Sequence, residues 1–278
     1  MKQTIAFQGF LGAYSDLACR QVFPEAQTIP CETFDEAFST LMSGRSDLAM
    51  IPVDNTLAGR VADVHRLIPE SGVHIIGEHF QPIRHALLGV KGSKIDLLET
   101  VHSHIHALPQ CREIIKELDL KSEVHADTAG AAQEISELKD VTQAAIASEL
   151  AAEIYDLEIL KMDVQDADHN TTRFLILSRD ANIPALETGT TYMTSFIFEV
   201  RNIPAALYKA LGGFATNGIN MVKLESYVDK SFQAAQFYAD VIGHPEERSL
   251  QLAMEELGFF AKEVHLLGTY EAHSFRKS

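Results

Sequence analysis

A polar loop passes directly into a predicted β-strand at Thr172 and Arg173, where side chains are both fixed in place and accessible. The segment from Phe174 to Ser178 has the period of a strand with two mostly apolar faces. α/β proteins place reactive side chains at such edges, because the sheet fixes the backbone while the loop leaves the groups exposed. The alternative is that the loop is ordinary turn chemistry and that Arg173 is a surface charge.

Two further sets of polar side chains follow predicted strands. Asp54, Asn55 and Thr56 come after the predicted strand 47–51, and ligands of open α/β sheets bind beyond such carboxyl ends. Asp-Asn is equally common turn chemistry. Ser103 and Gln110 would share one face of a continuous helix, but Pro109 between them favours a helix that begins only there.

A glycine-rich loop, Gly9 to Ser15, joins a short apolar strand to a helix. Backbone N–H groups at a helix N-terminus suit a carboxylate or a phosphate. The Gly-Lys-Ser/Thr ending of a nucleotide P-loop is absent, so a plain tight turn is the alternative. His102, His104 and His106 alternate along a strand without an evident closing carboxylate, and no metal site is predicted from them.

Composition limits the classes of partner. The chain has 278 residues and a formal net charge of −16, which opposes binding to nucleic acid or to an anionic membrane. Its three cysteines do not form a predicted disulfide framework. The N-terminus has no apolar signal region and no stretch has the length of a membrane span, so a cytoplasmic protein is expected.

Predicted strands and helices, which must position these groups, alternate along the chain up to about residue 180. This alternation predicts parallel sheets. Thr33 and Glu36 form a capping box before a helix, and Asp127 and Ser148 are expected to cap two others. After a linker near 182–189 the order becomes β-α-β-β-α-β, which is that of a ferredoxin-like sandwich. The sequence therefore predicts an α/β protein with a second, smaller domain.

The motifs, taken in order, resemble those of the prephenate dehydratase family with a C-terminal ACT regulatory domain, over essentially the whole chain. The matching segments are Gly9-x-x-Gly12-Ala13-Tyr14-Ser15, Asp54-Asn55-Thr56 with Gly59, Ser103-His104 with Gln110-Cys111, Asp127-Thr-Ala-Gly-Ala-Ala132, and Asn170-x-Thr172-Arg173-Phe174. Each motif is short, and the specificity comes from the ordered set. The family makes phenylpyruvate in phenylalanine biosynthesis.

The resemblance implies a catalytic domain over residues 1–180 that is similar to a type II periplasmic binding protein, with lobe 1 at about 1–78 plus 165–180 and lobe 2 at about 79–164. An ACT domain over 190–278 would follow. Prephenate would bind in the cleft between the lobes. The implied catalytic residues are Thr172, Asn55, Gln110 and Ser103, and the implied substrate-binding residues are Arg173, Asp54, Thr56, Gly12, Ala13 and Phe174.

The same resemblance implies L-phenylalanine as a feedback effector, bound near Pro204, Ala205, Ala206, Leu207, Glu225 and Ser226. It also implies a homodimer or homotetramer. No cofactor is expected, because formation of an aromatic product drives the reaction. Asp54 replaces the usual Glu before the Asn, and Ala205 stands at the Gly of the usual Gly-Ala-Leu pattern.

Two other functions remain open at this point. One is arogenate dehydratase, which carries out the same elimination on the amino-acid analogue of prephenate. The other is a non-catalytic amino-acid sensor, in which a binding-protein-like cleft is attached to an ACT domain.

Overall fold

The computed structural model describes residues 2–201, 203–228 and 234–277. The chain divides into two compact units, one of Met1–Ser71 with His79–Leu175 and the other of Gly72–Glu78 with Ile176–Ser278. The predicted lobe 1 included residues 72–78, whereas the structure groups them with the C-terminal residues. Within the described ranges, no helix combines the length and the apolar character needed to cross a membrane.

The helices and strands have the following bounds. The strands are β1 Thr4–Gln8, β2 Gln27–Cys31, β3 Leu48–Asn55, β4 Gly59–Arg60, β5 His74–Pro82, β6 Ala86–Gly89, β7 Thr100–His104, β8 Lys121–His125, β9 Gln143–Ala147, β10 Glu158–Lys161, β11 Thr171–Ser178, β12 Tyr192–Val200, β13 Met221–Val228, β14 Ala234–Ile242 and β15 Ala261–Glu271. The helices are α1 Tyr14–Val22, α2 Phe34–Met42, α3 Ala62–Ser71, α4 Arg112–Glu117, α5 Thr128–Leu138, α6 Glu149–Ile154, α7 Ala206–Thr216 and α8 Arg248–Phe260.

The first sheet has the strand order β2-β1-β3-β11-β5, with β4 paired to β3. β1 is parallel to both β2 and β3. Ile5, Ala6 and Phe7 of β1 are fully buried, as expected for a strand that is covered on both faces. Half of the capping box predicted before α2 is present, because Thr33 Oγ1 accepts from the Glu36 amide, while the Glu36 carboxylate accepts from Glu32 N. This sheet carries β3 and β11, the strands that hold Asn55 and Thr172.

The second sheet has the order β10-β6-β9-β7-β8, and it corrects the prediction of purely parallel sheets. β7 is parallel to β8 and β9, but β6 is antiparallel to both β9 and β10. Three residues join β5, at the edge of the first sheet, to β6 of the second sheet. Asp127 and Ser148 cap α5 and α6 as predicted. The alanine-rich faces of α5, β9 and α6 form the core against β6.

The C-terminal unit contains the predicted β-α-β-β-α-β order as β12, α7, β13, β14, α8 and β15. The sheet order is β13-β14-β12-β15, the arrangement of a ferredoxin-like sandwich. Phe196, Phe198 and Phe237 pack with Phe214 of α7 and Leu257 of α8 in its core. These residues alternate along the strands, as a sheet covered by helices on one face requires.

Gly268 of β15 lies where a side chain has no room. A Cβ built there would fall 1.9 Å from the carbonyl oxygen of Ile75, far inside van der Waals contact. The backbone of β15 therefore packs directly against segment 72–78 within the C-terminal unit, and only glycine permits this approach.

Candidate active site

The glycine loop is held by side chains of the second lobe. Phe10 N donates to Asp127 Oδ2 at 3.0 Å, the Tyr155 hydroxyl donates to the Leu11 carbonyl at 2.8 Å, and Ser148 Oγ donates to the Gly12 carbonyl at 2.6 Å. These bonds join residues more than 100 positions apart in the sequence. The loop therefore has a fixed position at the boundary of the two lobes of the first unit.

The backbone amides of Gly12 and Ala13, two of the predicted substrate-binding residues, have acceptors within the protein. Gly12 N donates to Asp16 Oδ2 at 2.9 Å, and Ala13 N donates to the Phe10 carbonyl at 3.0 Å. Gly12 has φ +87, and a Cβ there would lie 2.9 Å from Ala151 Cα. Its role is to let the loop approach α6 closely.

Asn55 and Thr172 meet because β3 and β11 are neighbours in the first sheet. Asn55 Nδ2 donates to Thr172 Oγ1 at 2.9 Å. Asn55 Oδ1 accepts from the amides of Leu57 and Ala58 at 2.9 and 2.7 Å, which fixes the orientation of the carboxamide. The interpretations of Asp54-Asn55 as turn chemistry and as part of the site are thus compatible, since Asn55 shapes the β3–β4 turn and also contacts Thr172.

The hydrogen bonding continues away from Thr172. Asn55 Nδ2 also donates to Asn170 Oδ1 at 2.8 Å, and Asn170 Nδ2 donates to Gln110 Oε1. Gln110 also influences the His85 imidazole, because it partly offsets the lowering of the His85 pKa by burial. These residues come from four separate segments, so the structure joins Asn55, Gln110 and Thr172, as the sequence predicted, through an Asn170 to which no role was assigned.

Arg173 is buried, and its charge has a protein partner. Its Nη1 lies 3.9 Å from Asp54 Oδ2, with a side-chain exposure of 6% for Arg173 and 31% for Asp54. The shorter Asp54 side chain therefore still reaches this pair. Arg173 is therefore not the surface charge of the alternative interpretation, and its pairing with Asp54 favours a role in holding the site together.

A cavity of about 600 Å³ opens beside these groups, between the two sheets of the first unit. Its lining includes Ser15, Asn55, Arg60, His104 and Asp127. Thr172 is 9% exposed and is linked to this lining by its hydrogen bond with Asn55. Burial, together with the nearby His106, lowers the pKa of His104, while Asp127 opposes that shift. The imidazole of His104 is therefore biased towards its neutral form.

Three other predicted site residues are buried or already hydrogen-bonded within the protein. Ser103 lies on β7 and not on a helix with Gln110; it is fully buried and donates its hydroxyl to the Ile146 carbonyl at 2.6 Å. Phe174 is a core residue with 1% exposure. Thr56 Oγ1 donates to the His169 carbonyl and accepts from Thr171 N. Direct contact of these side chains with substrate is not supported by this geometry, because their groups are buried or already bonded.

The residues proposed to bind an effector all belong to the C-terminal unit. Ala205 is the N-cap of α7 and has φ +62, in the left-handed region that favours glycine. The glycine of the usual Gly-Ala-Leu pattern, which Ala205 replaces, would adopt this φ without strain. Glu225 of β13 lies 4.0 Å from Lys223 Nζ.

Sequence reasoning missed three residues of the site. Asn170 belongs to a matched motif, but no role was assigned to it because the residues around it are also polar. Arg60 comes to the cavity because β4 pairs it with Asp54; the Asp-Asn pair indicated a turn here, but not that Arg60 would follow it into the cavity wall. His85 lies in an apolar segment and carries no motif of its own.

The cavity gathers hydroxyl, amide and charged groups from the segments of both sheets of the first unit. A family model described as prephenate dehydratase matches residues 5–182. The chain belongs to the prephenate dehydratase family, and it is therefore an enzyme, a lyase. This finding sets aside the alternative of a non-catalytic sensor.

Individual relatives cover nearly the whole chain. A protein of Komagataeibacter europaeus described as a bifunctional N-acyl-homoserine lactone acylase/prephenate dehydratase is 50% identical over 278 residues, covering 99% of this chain and 98% of the relative. A chloroplastic arogenate dehydratase/prephenate dehydratase of Arabidopsis thaliana is 37% identical over 276 residues, with 96% and 72% covered. A solved prephenate dehydratase from Arthrobacter aurescens in complex with L-Phe has a TM-score of 0.88 and 28% identity, with 97% and 90% covered.

Proposed function

We propose that the chain converts prephenate to phenylpyruvate, carbon dioxide and water. The observation that carries this proposal is the 2.9 Å hydrogen bond from Asn55 Nδ2 to Thr172 Oγ1. Because Thr172 accepts this bond, its own proton is left for another acceptor, and no described residue takes it. Membership in the family adds support.

In this reaction the bond between the ring and its carboxylate breaks, and its electron pair enters the ring. The ring then expels the oxygen at the opposite carbon, which leaves as water after taking up a proton. Thr172 is a weak acid, so its contribution is a strong hydrogen bond to the departing oxygen as charge develops there. The site must also hold the substrate in one pose.

The substrate carries two carboxylates, and they need different treatment. Tight binding of the ring carboxylate in the ground state would oppose its loss. We assign the side-chain carboxylate to the first turn of α1 near Ser15, where the N-cap Ala13 supplies no side-chain cap and the N–H groups are free to bind an anion. Arg60 supplies a positive charge on the cavity wall.

The test is formation of phenylpyruvate from prephenate, followed by ultraviolet absorbance. Wild type should produce it, and Thr172→Ala should lower turnover by about 10²–10³-fold, as expected for loss of one such donor. Thr171→Val is the matched control, because Thr171 uses only backbone groups in its bonds to Thr56. A Thr172→Ala variant with wild-type turnover would refute the role of the hydroxyl.

Arogenate is a second candidate substrate, and one observation favours it. The carboxylate of Asp127 lines the cavity and can pair with the ammonium group that arogenate has in place of a keto oxygen. The plant relative is described with both activities. Competing the two substrates in one assay, with Asp127→Asn alongside wild type, decides between them. Selective loss of the arogenate rate in the variant would support this pairing.

We also propose that the C-terminal unit is an ACT domain that responds to L-phenylalanine. Its support is the ferredoxin-like order of the unit, together with the description of the Arthrobacter relative as a complex with L-Phe. Pro204 to Leu207 and Glu225-Ser226 are the proposed effector site in a homodimer or homotetramer. Turnover measured against phenylalanine concentration, with the mass from light scattering, tests both parts.

Acylase activity is a further candidate because of the Komagataeibacter relative. Next to the substrate cavity lies a second cavity of about 570 Å³, lined by Phe10, Leu11, Pro30 and Tyr155 among others. Its walls are mostly apolar and suit an acyl chain. Release of homoserine lactone from an N-acyl-homoserine lactone tests this activity, and Leu11→Asp should abolish it while sparing turnover of prephenate. Absence of release from wild type would exclude it.

A further inference from the structure

The imidazole of His104 directs one ring nitrogen to its own chain. A turn follows His104 at the end of β7, in which Ala107 N donates to the His104 carbonyl at 2.9 Å. In the same turn the backbone N–H of His106 donates to Nδ1 of His104 at 3.3 Å. The other ring nitrogen, Nε2, has no hydrogen-bond partner among the residues that the structure describes.

The bond from His106 selects the tautomer of the His104 ring. A ring nitrogen that accepts a hydrogen bond carries no proton, so the single proton of the neutral ring lies on Nε2. Burial and the nearby His106 lower the pKa of His104, which agrees with a neutral ring at neutral pH. The His106 ring packs edge-on at a centroid distance of 5.1 Å and limits rotation of the imidazole. His104 is therefore a fixed donor at Nε2 and not an acceptor there.

His104 brings this fixed donor to the wall of the substrate cavity. The side-chain amides of the described lining residues are already bonded within the protein. Asn55 uses Nδ2 for two neighbouring side chains, and Nε2 of Gln8 donates to a backbone carbonyl at 3.4 Å. The wall at His104 therefore offers a neutral N–H group whose direction is set before any ligand binds.

Prephenate and arogenate differ at one group beside the side-chain carboxylate. Prephenate has a keto oxygen there, which only accepts hydrogen bonds, and arogenate has an ammonium, which only donates them. The carboxylate was assigned above to the first turn of α1 near Ser15, which lines the same cavity as His104. Because the carbon that carries the keto or ammonium group is bonded directly to the carboxylate carbon, the group that differs lies next to this anchor.

We propose that His104 makes the site select a keto acid over an amino acid, because its Nε2–H donates to the keto oxygen of prephenate and faces a second donor in the ammonium of arogenate. This inference rests on the proposed conversion of prephenate. A donor left without an acceptor lowers affinity by about 5- to 100-fold. Asp127 favours the ammonium, but its two oxygens already accept the backbone N–H groups of Gly130 and Phe10.

Two substitutions separate the donor from the shape of the ring. His104→Phe keeps a planar ring against His106 and removes the donor, so kcat/KM for prephenate should fall by about tenfold or more, while that for arogenate should not fall. His104→Gln places an amide nitrogen near the position of Nε2, and this amide can also rotate to present its oxygen to an ammonium. We expect it to keep kcat/KM for prephenate within about threefold and to raise that for arogenate by about fivefold or more.

The experiment measures kcat/KM for both substrates, and thermal unfolding, in wild type and the two His104 variants. Ile105→Ala is the control for disturbance of the turn, since Ile105 is exposed, and its ratio of the two kcat/KM values should stay within about twofold of wild type. Equal losses for the two substrates in His104→Phe would overturn the inference, as would a wild-type preference for arogenate or an unchanged ratio in His104→Gln. If His104→Phe does not fold, the ratio in His104→Gln decides.

Calorimetric binding to Thr172→Val separates this inference from the proposed function. That variant keeps the cavity lining and loses the hydroxyl that acts on the departing oxygen, so the two substrates can be compared without turnover. Prephenate should bind it more tightly than arogenate by about fivefold or more, and adding His104→Phe should remove the difference. If wild type forms no phenylpyruvate but this difference is present, the proposed function fails and the role of His104 is supported. If turnover is normal and the two affinities are equal, only the role of His104 fails.

Discussion

Asn55→Asp is a sharp perturbation of the site because it changes one group and keeps the shape. The aspartate retains the oxygen that accepts from Leu57 and Ala58 at 2.9 and 2.7 Å, so the β3–β4 turn is preserved. Its second oxygen replaces a donor that lies 2.8 Å from Asn170 Oδ1 and 2.9 Å from Thr172 Oγ1. The first of these bonds becomes a repulsion between two oxygens.

The second bond reverses its direction. A carboxylate at position 55 accepts the Thr172 proton, which then no longer points to the substrate. Loss of one preorganised donor lowers turnover by about 10²–10³-fold, or roughly 3–4 kcal/mol in the activation barrier. Repulsion at Asn170 adds a stability cost of about 1–3 kcal/mol for the disrupted buried bond.

The assay is steady-state formation of phenylpyruvate, together with the unfolding temperature of each variant. KM should change little, since the interaction that is lost acts mainly in the transition state. Asn182→Asp, at an exposed position, is the control for the added charge. Turnover of Asn55→Asp within about threefold of wild type would refute the reasoning.

Three further predictions concern stability. The pKa of His85 is about 4 in the folded chain and about 6.5 when unfolded, so the unfolded state binds more protons between these two pH values. The contribution of this group to the free energy of unfolding should be constant above pH 6.5 and fall by roughly 3 kcal/mol on acidification to pH 4. Denaturant unfolding should show a smaller fall in His85→Gln. Gly12→Ala should lower the free energy of unfolding by about 2–4 kcal/mol, because of backbone strain and overlap with Ala151. Gly92→Ala has a similar φ of +89 and open space around it, so it should lose only the part due to strain. Equal losses in the two variants would contradict the overlap. Ala205→Gly should raise the free energy of unfolding by up to about 1 kcal/mol, because glycine relieves the strain of the left-handed φ. Ala215→Gly in α7 should lower it by about 1 kcal/mol. A loss in both variants would contradict the strain at Ala205.

The local rules of the sequence were sufficient for most elements. Strand periodicity identified β11, and cap residues at Thr33, Asp127 and Ser148 marked three helices correctly, because these signals depend on neighbours in the chain. The C-terminal β-α-β-β-α-β order followed for the same reason. The antiparallel β6 was missed, since the alternation of strand and helix does not show that β6 pairs with β9 and β10, which come about 60 residues or more later in the chain.

The site was predictable in outline and not in its connections. Asn55, Gln110 and Thr172 carried motifs, but the hydrogen bonds through Asn170 join residues 115 and 60 positions apart and leave no periodic pattern in the sequence. Ser103 was predicted to be catalytic and Phe174 to bind substrate, because a motif shows that a residue type is needed and not which contact needs it. In both cases the fold uses the residue to build the lobe.

The central claim is that one hydroxyl, that of Thr172, meets the oxygen that leaves the substrate. The most direct measurement compares kcat of Thr172→Val and Thr172→Ser with wild type, with prephenate as substrate. Valine preserves the shape and removes the hydroxyl, and serine preserves the hydroxyl. We predict a loss of about 10²-fold or more for valine and less than about tenfold for serine, at similar unfolding temperatures. A valine variant as active as wild type would contradict the claim.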